Sequence, residues 1–191
     1  FSIGDYFRNE VVPWAYEILT SEKYFGLDKE KLYVTYHPQD NETRNLWIKS
    51  GLDATHLIPL AGNYWQIGEG PCGPNTEVFF DRGEKYDPEN IGIDLLKNDI
   101  ENDRYIEIWG IVFSQYNAVN GVKREDYKEL PHKNIDTGAG LERICCVLQE
   151  TETNFETDLF MPIIKSTMEI AKKPYEDEYL IKAYQTNLTT M

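Results

Sequence analysis

Over residues 5–19 the apolar positions Phe7, Val11, Trp14, Ala15, Ile18 and Leu19 recur at the spacing that gathers one face of an α-helix. Asp5 can cap such a helix. Pro13 lacks an amide donor, so its place inside the pattern predicts a kink or a late start. The period then changes. Leu32–Tyr36 reads as a strand, residues 40–50 as a short helix stopped by Gly51, and residues 56–60 as a second extended piece.

Further on, the chain becomes strand-rich. Residues 76–81 read as a strand ending at the turn Asp81-Arg82-Gly83, and residues 104–117 alternate over a long stretch. Strict alternation puts Glu107, Trp109, Ile111, Phe113 and Gln115 on one face and Ile106, Ile108, Gly110, Val112 and Ser114 on the other. Long strands without a helix between each pair point to an antiparallel sheet. After a loop over 118–133, a short strand through Ile135 meets Asp136-Thr137-Gly138-Ala139-Gly140, and Leu141–Gln149 reads as a helix. A second helix is expected from about Thr157, turning Leu159, Phe160, Ile163, Ile164, Met168 and Ala171 toward a core until Pro174 ends it. The polar stretch 150–156 is the expected boundary, giving domains 1–152 and 153–191. The expected fold is α+β, an antiparallel sheet with flanking helices followed by a helical tail. Residues 179–191 read as a helix with no stop signal, and the first residue is Phe, so both ends are expected to continue into a longer chain.

Composition narrows the class. With 41% hydrophobic residues and 13 tyrosines among 191 positions, the chain can fold a core. Its longest apolar runs fall far short of the ~20 residues a membrane span needs, and the opening Phe1-Ser2-Ile3-Gly4-Asp5 lacks the basic start and apolar stretch of a signal peptide, so secretion is not expected. Cys72, Cys145 and Cys146 offer neither an even disulfide framework nor the spacing of a zinc site. They read as reduced cytosolic thiols, with Cys145 and Cys146 packing a helix. A formal net charge of −14 argues against a generic nucleic-acid binder. A polyanion would have to be held by a few placed cations, by magnesium, or by other parts of the protein.

Three constellations carry candidate chemistry. In Gly138-x-Gly140-x-x-Arg143 the glycines leave the backbone open to a flat ring or a phosphate chain, and Arg143 can aim a permanent cation at that space. Its bland reading is a glycine turn beside a surface arginine paired with Glu142. From Asn63 to Glu77, glycines and prolines make a rigid loop beside Trp65, which can wall a small pocket; a plain structural turn is the alternative. Glu107 is an acid on an otherwise apolar strand, and it requires a cation, a hydrogen-bond donor or a metal.

Taken in order, these segments resemble the alanyl-tRNA synthetase family of class II aminoacyl-tRNA synthetases. Phe1-Ser2-Ile3-Gly4-Asp5-Tyr6-Phe7 resembles the stretch after that family's motif 2, and Gly70-Pro71-Cys72-Gly73-Pro74 its glycine-proline loop. Residues 134–143 resemble motif 3, and residues 155–160 the opening of a helical tRNA-recognition region. The resemblance implies an ATP-dependent ligase that forms alanyl-adenylate and transfers alanine to the acceptor end of its tRNA in the cytoplasm. It implies that Arg143 contacts the ATP phosphates and that Gly138 and Gly140 make room for the nucleotide. Alanine would be held by Asp136, Trp65, Gly138 and position 110, with Glu107 a candidate for Mg²⁺. Two departures stand out: the family usually has Asn where this chain has Gly110, and a second Cys where it has Asn75, which reads as a packing difference. Motif 1 and the motif 2 arginine would lie upstream, so this stretch alone is expected to be inactive. The competing expectation keeps the fold without the reaction, as a synthetase-like protein binding a nucleotide or a protein partner.

Overall fold

The computed structural model describes residues 1–175 and 181, which divide into two compact units, 1–140 and 141–191. The first is built on a seven-stranded sheet: β1 (Ser2–Ile3), β2 (Leu32–Tyr36), β3 (Leu57–Pro59), β4 (Tyr64–Trp65), β5 (Gly70–Asp81), β6 (Tyr105–Ala118) and β7 (Lys128–Ala139). The order is β1-β7-β6-β5-β2-β3, with β4 branching from β5. Only the β2–β3 pair is parallel, as expected for an α+β fold.

One face of the sheet is closed by two helices, α1 (Arg8–Thr20) and α2 (Asn41–Ser50). Asp5 does not cap α1. The helix begins at Arg8, and the Glu10 carboxylate accepts from the Phe7 amide at 3.0 Å, closing its first turn. Pro13 lies inside α1, where it withholds the amide owed to the Asn9 carbonyl. In α2, Asp40 accepts from the Thr43 amide and Gly51 takes the left-handed φ of 117° that ends the helix. Trp47, Phe113, Ile111, Val78 and Val34 are fully buried on this side, each worth roughly 1.5–3 kcal/mol. The buried Arg8 ties the layers together, donating from Nη1 to Gln115 Oε1 at 2.6 Å, from Nε to Thr43 Oγ1 at 3.1 Å and from Nη2 to Asp40 Oδ2 at 3.1 Å.

Two strands are longer than their patterns suggest. β5 starts at Gly70, so the glycine-proline loop is the irregular first half of a strand, and β7 takes in residues expected to be loop. Between Cys72 and Asn75 the β5–β6 register shifts and β5 pairs instead with β4, Trp65 opposite Gly73. The backbones come so close there that a Cβ on Gly73 would lie 1.9 Å from the Phe113 carbonyl oxygen. A short helix α3 (Asp94–Lys97) brings Leu95 and Leu96 against Ile58 and Tyr105, with Tyr33 and Phe79 packed beside them.

The second unit begins with α4 (Leu141–Gln149), as the pattern predicts. Cys146 is buried and Cys145 partly so. The 150–156 connection is closed by a capping box in which Glu156 receives the amide and hydroxyl of Thr153. The next helix, α5 (Met161–Ala171), starts four residues later than expected from Thr157, and of its anticipated core stripe only Ile164 is buried; Leu159 and Ile163 are exposed. The helix expected over 179–191 lies, apart from Ile181, outside the described residues. No helix among the described residues is long and apolar enough to cross a membrane.

Candidate active site

The sheet's second face carries four of the candidate residues, Glu107, Gly110, Asp136 and Gly138. In β5, Asn75 and Glu77 alternate with the buried Thr76 and Val78, so the polar pair points away from the helices. Register extends this face across the sheet. Glu77 sits opposite Gly110 and Gly110 opposite Gly138; Asn75 sits opposite Val112 and Val112 opposite Asp136. Paired residues share a face, so two rows run from β5 to β7, one ending in Gly138 and the other in Asp136.

Glu107 corrects the strict alternation. The β5–β6 register slips between Val78 and Phe79, whose partners are Trp109 and Glu107. The extra residue is a bulge that re-aims the side chains beyond it. Glu107 therefore joins Gly110 rather than Trp109 and Ile111: a Cβ on Gly110 would meet Glu107 Oε1 at 3.5 Å and nothing closer. Above Gly138 there is open space. With no side chain at 110 or 138, a ligand can lie directly on the backbone of β6 and β7.

Glu77 is held by several donors. Asn75 Nδ2 donates to Oε1 at 2.8 Å and Thr35 Oγ1 to Oε2 at 3.3 Å, while Asn63 Nδ2 donates to Thr35 Oγ1 at 2.9 Å. Burial pushes the Glu77 carboxyl above the usual glutamate range, and the Glu107 carboxylate adds to the shift; the donors from Asn75, Thr35 and Asn63 oppose it. Asn75 is thus a hydrogen-bonding residue of this face rather than a packing substitute. Asn75, Glu77, Thr35 and Asn63 were not singled out from the sequence as site residues. The period of two over 75–78, polar against apolar, was the available signal for the first pair.

The remaining candidates are distributed as follows. Trp65 lies half-buried on β4, turned by alternation away from its neighbour Tyr64, whose hydroxyl is 3.5 Å from Cys72 Sγ and whose ring is covered by the Arg124 guanidinium. Gly140 closes the first unit, its amide donating to the Ile108 carbonyl at 3.1 Å. Arg143 is exposed in the first turn of α4, in the second unit. A cleft of ≈ 940 Å³ opens elsewhere in the first unit, lined among others by Arg8, His37, Tyr64, Arg124 and Lys133, and it includes none of Gly110, Asp136 and Gly138. Its most buried cation, Arg8, is committed to Asp40, Thr43 and Gln115, which leaves it poorly suited to bind an anion.

No three His, Cys, Asp or Glu among the described residues are grouped to hold a metal by themselves. Magnesium usually takes only one or two protein carboxylates, its other ligands being water and substrate phosphate. Glu107 beside the bare Gly110, with Glu77 one strand away, offers oxygen ligands of that kind.

Comparison with known proteins identifies the family of the chain. The family profile described as tRNA synthetases class II (A) matches residues 1–187. The chain is 61% identical over 178 residues to an alanine–tRNA ligase of Streptococcus sanguinis (strain SK36) and 62% identical to that of Streptococcus gordonii, covering 93% of this chain and 20% of each relative. A relative of the same name from Streptococcus thermophilus is 60% identical over the same share. The chain thus spans about a fifth of the length of the curated relatives it matches. On the strength of the profile match and of these identities, the chain belongs to the class II tRNA synthetase family.

Proposed function

We propose that residues 1–191 form part of an alanine–tRNA ligase, contributing the floor of the pocket in which alanine and ATP react. The observation that carries this reading is the pair of rows on the open sheet face, where the carboxylate of Asp136 stands two strands from Asn75 and the neighbouring row is bare at Gly110 and Gly138. An exposed carboxylate suits an ammonium, and a bare backbone beside it admits a small amino acid and a flat nucleotide. The names of the relatives at 60–62% identity supply the amino acid.

In this reading Asp136 accepts from the ammonium of alanine, Trp65 walls the pocket, and Gly138 and Gly140 leave room for ATP. The carboxylate of alanine attacks the α-phosphate of ATP, forming alanyl-adenylate and releasing pyrophosphate; a hydroxyl of the terminal ribose of the tRNA then attacks the alanyl carbonyl, forming the ester and releasing AMP. No side chain need act as a nucleophile. The protein's part is to position the two substrates and balance charge on the phosphates, for which Arg143 is the proposed cation. Magnesium, with Glu107 as its proposed ligand, would supply further positive charge to the phosphates. Residues 1–152 are proposed to serve catalysis and residues 153–191 to begin the tRNA-recognition region, in the cytoplasm.

The test is amino-acid-dependent exchange of pyrophosphate into ATP by the whole protein that carries this segment. Exchange stimulated by alanine well above other amino acids is expected. Exchange with no dependence on alanine would overturn the reading.

A further inference from the structure

We propose that Thr137 is a positioning residue for adenylate formation, its hydroxyl clamping β7 to β6 from the helix-covered side of the sheet and so fixing Asp136 and Gly138 on the open side. This deepens the alanine–tRNA ligase reading and rests on it. Asp136, Thr137 and Gly138 are consecutive on β7, so Thr137 points to the opposite face from the two candidates beside it. Register agrees: Thr137 sits opposite Ile111 and Ile111 opposite Thr76, both fully buried. Thr137 therefore touches neither substrate in the proposed pocket, and its effect on the reaction must pass through the strands.

The hydroxyl is committed twice. Trp109 Nε1, which can only donate, gives it a hydrogen bond at 2.6 Å, and the hydroxyl donates its own proton to the Gly110 carbonyl at 2.8 Å. Both bonds run from β6 to β7, and a hydroxyl that accepts while it donates makes the stronger donor. The position of the acceptor gives the clamp its importance, because Gly110 pairs with Gly138. Side-chain contacts across the strands ordinarily stabilise such a pair; two glycines supply none, and each leaves its backbone freer than another residue would. A face kept bare for a ligand thus gives up its own support, and Thr137 and Trp109 supply it from behind.

Two substrates meet at this point of β7. In the proposed pocket Asp136 takes the ammonium of alanine and Gly138 leaves room for ATP, one on either side of Thr137. Each substrate is bound by groups local to it. Transfer asks for more, since the carboxylate of alanine must stand in line with the α-phosphate, and a misplacement of about 1 Å can cost on the order of a hundredfold in rate. Loosening the clamp is therefore expected to leave binding largely intact and to slow the chemical step.

The experiment uses the full-length enzyme with three substitutions: Thr137→Val, which nearly keeps the shape and loses both hydrogen bonds; Thr137→Ser, which keeps the hydroxyl; and Trp109→Phe, which removes the indole donor. Alanine-dependent pyrophosphate exchange is measured for each, with thermal unfolding as the check on folding. Thr137→Val is expected to lower kcat by roughly ten- to a hundredfold while the KM values for alanine and ATP stay within about threefold of the parent, and Thr137→Ser to recover most of the loss. Trp109→Phe is expected to lower kcat by less, and to add little when combined with Thr137→Val, because the two act through one hydroxyl. A parental kcat in Thr137→Val, a loss carried by KM instead, or a serine variant no better than the valine one would overturn the inference. Should Thr137→Val fail to fold, Trp109→Phe decides alone, and a parental kcat there overturns the inference equally. Absence of alanine-dependent exchange in the parent enzyme would overturn the activity reading first, and the inference with it.

Discussion

At residue scale, the open face is decided by what stands at positions 77 and 110. Gly110 does not use a positive φ, and a Cβ there meets only Glu107 Oε1 at an ordinary 3.5 Å, so a Cβ is accommodated. Gly110→Asn in the full-length enzyme is expected to add a donor above the pocket. It should lower the KM for alanine by the equivalent of roughly 0.5–1.5 kcal/mol. By narrowing the space it should also improve the alanine-to-serine ratio in pyrophosphate exchange, since sieving of one small group is worth only about 1–3 kcal/mol. Unchanged constants for both amino acids would show that position 110 does not face substrate. Glu77 gives a pH signature. Its folded-state carboxyl lies above the usual glutamate range, so at pH values between the unfolded and the folded pKa the folded protein binds more proton there than the unfolded chain does. Stability from this group is therefore greatest below the ordinary glutamate value of ~4.5 and falls as pH rises through the interval up to the folded value. The melting temperature of Glu77→Gln relative to the parent is expected to climb across that interval; a difference flat in pH would contradict the assigned shift.

At element scale, the site depends on how β5 and β6 are paired. Two irregularities matter: the break between Cys72 and Asn75, which hands β5 to β4, and the slip at Val78–Phe79, which brings Glu107 beside Gly110. The first requires Gly73, because any Cβ there would overlap the Phe113 carbonyl oxygen 1.9 Å away, a backbone atom with nowhere to retreat. Gly73→Ala is expected to cost about 3 kcal/mol or more, seen as a large drop in the midpoint of urea unfolding. Gly68→Ala serves as a contrast, since its Cβ would meet nothing within 4 Å and only its φ of 62° adds strain. A smaller loss for Gly73 than for Gly68 would refute the close approach. These pairings also show why 70–74 reads as a loop. Gly and Pro are loop formers on local grounds, and here they serve a strand that changes partners.

At the scale of the whole molecule, charge is the issue. A chain of formal net charge −14 whose open face carries Glu77, Glu107 and Asp136 repels a triphosphate unless cations are placed against it. Arg143 is the cation proposed here. In the full-length protein, Arg143→Ala is expected to reduce ATP-dependent adenylate formation by roughly a hundredfold or more while leaving the melting temperature nearly unchanged, the residue being exposed. Arg143→Lys should also be poor, because lysine lacks the planar fork that meets phosphate oxygens in pairs. Normal adenylate formation in both variants would remove Arg143 from the nucleotide site.

The sequence by itself determined whatever is local: the β2 and α4 spans, Gly51 as the stop of α2, and the family signature that runs through Gly138, Gly140 and Arg143. Periodicity and capping act between residues a few positions apart, so they can be read along the chain. Tertiary structure alone decided which side of β6 Glu107 faces, since a bulge is set by the pairing of two strands and breaks a period of two without any mark in either sequence. It likewise decided the network of Asn75, Glu77, Thr35 and Asn63. Those hydrogen bonds join residues up to 42 positions apart, and their directions follow from register and burial, which no local pattern specifies.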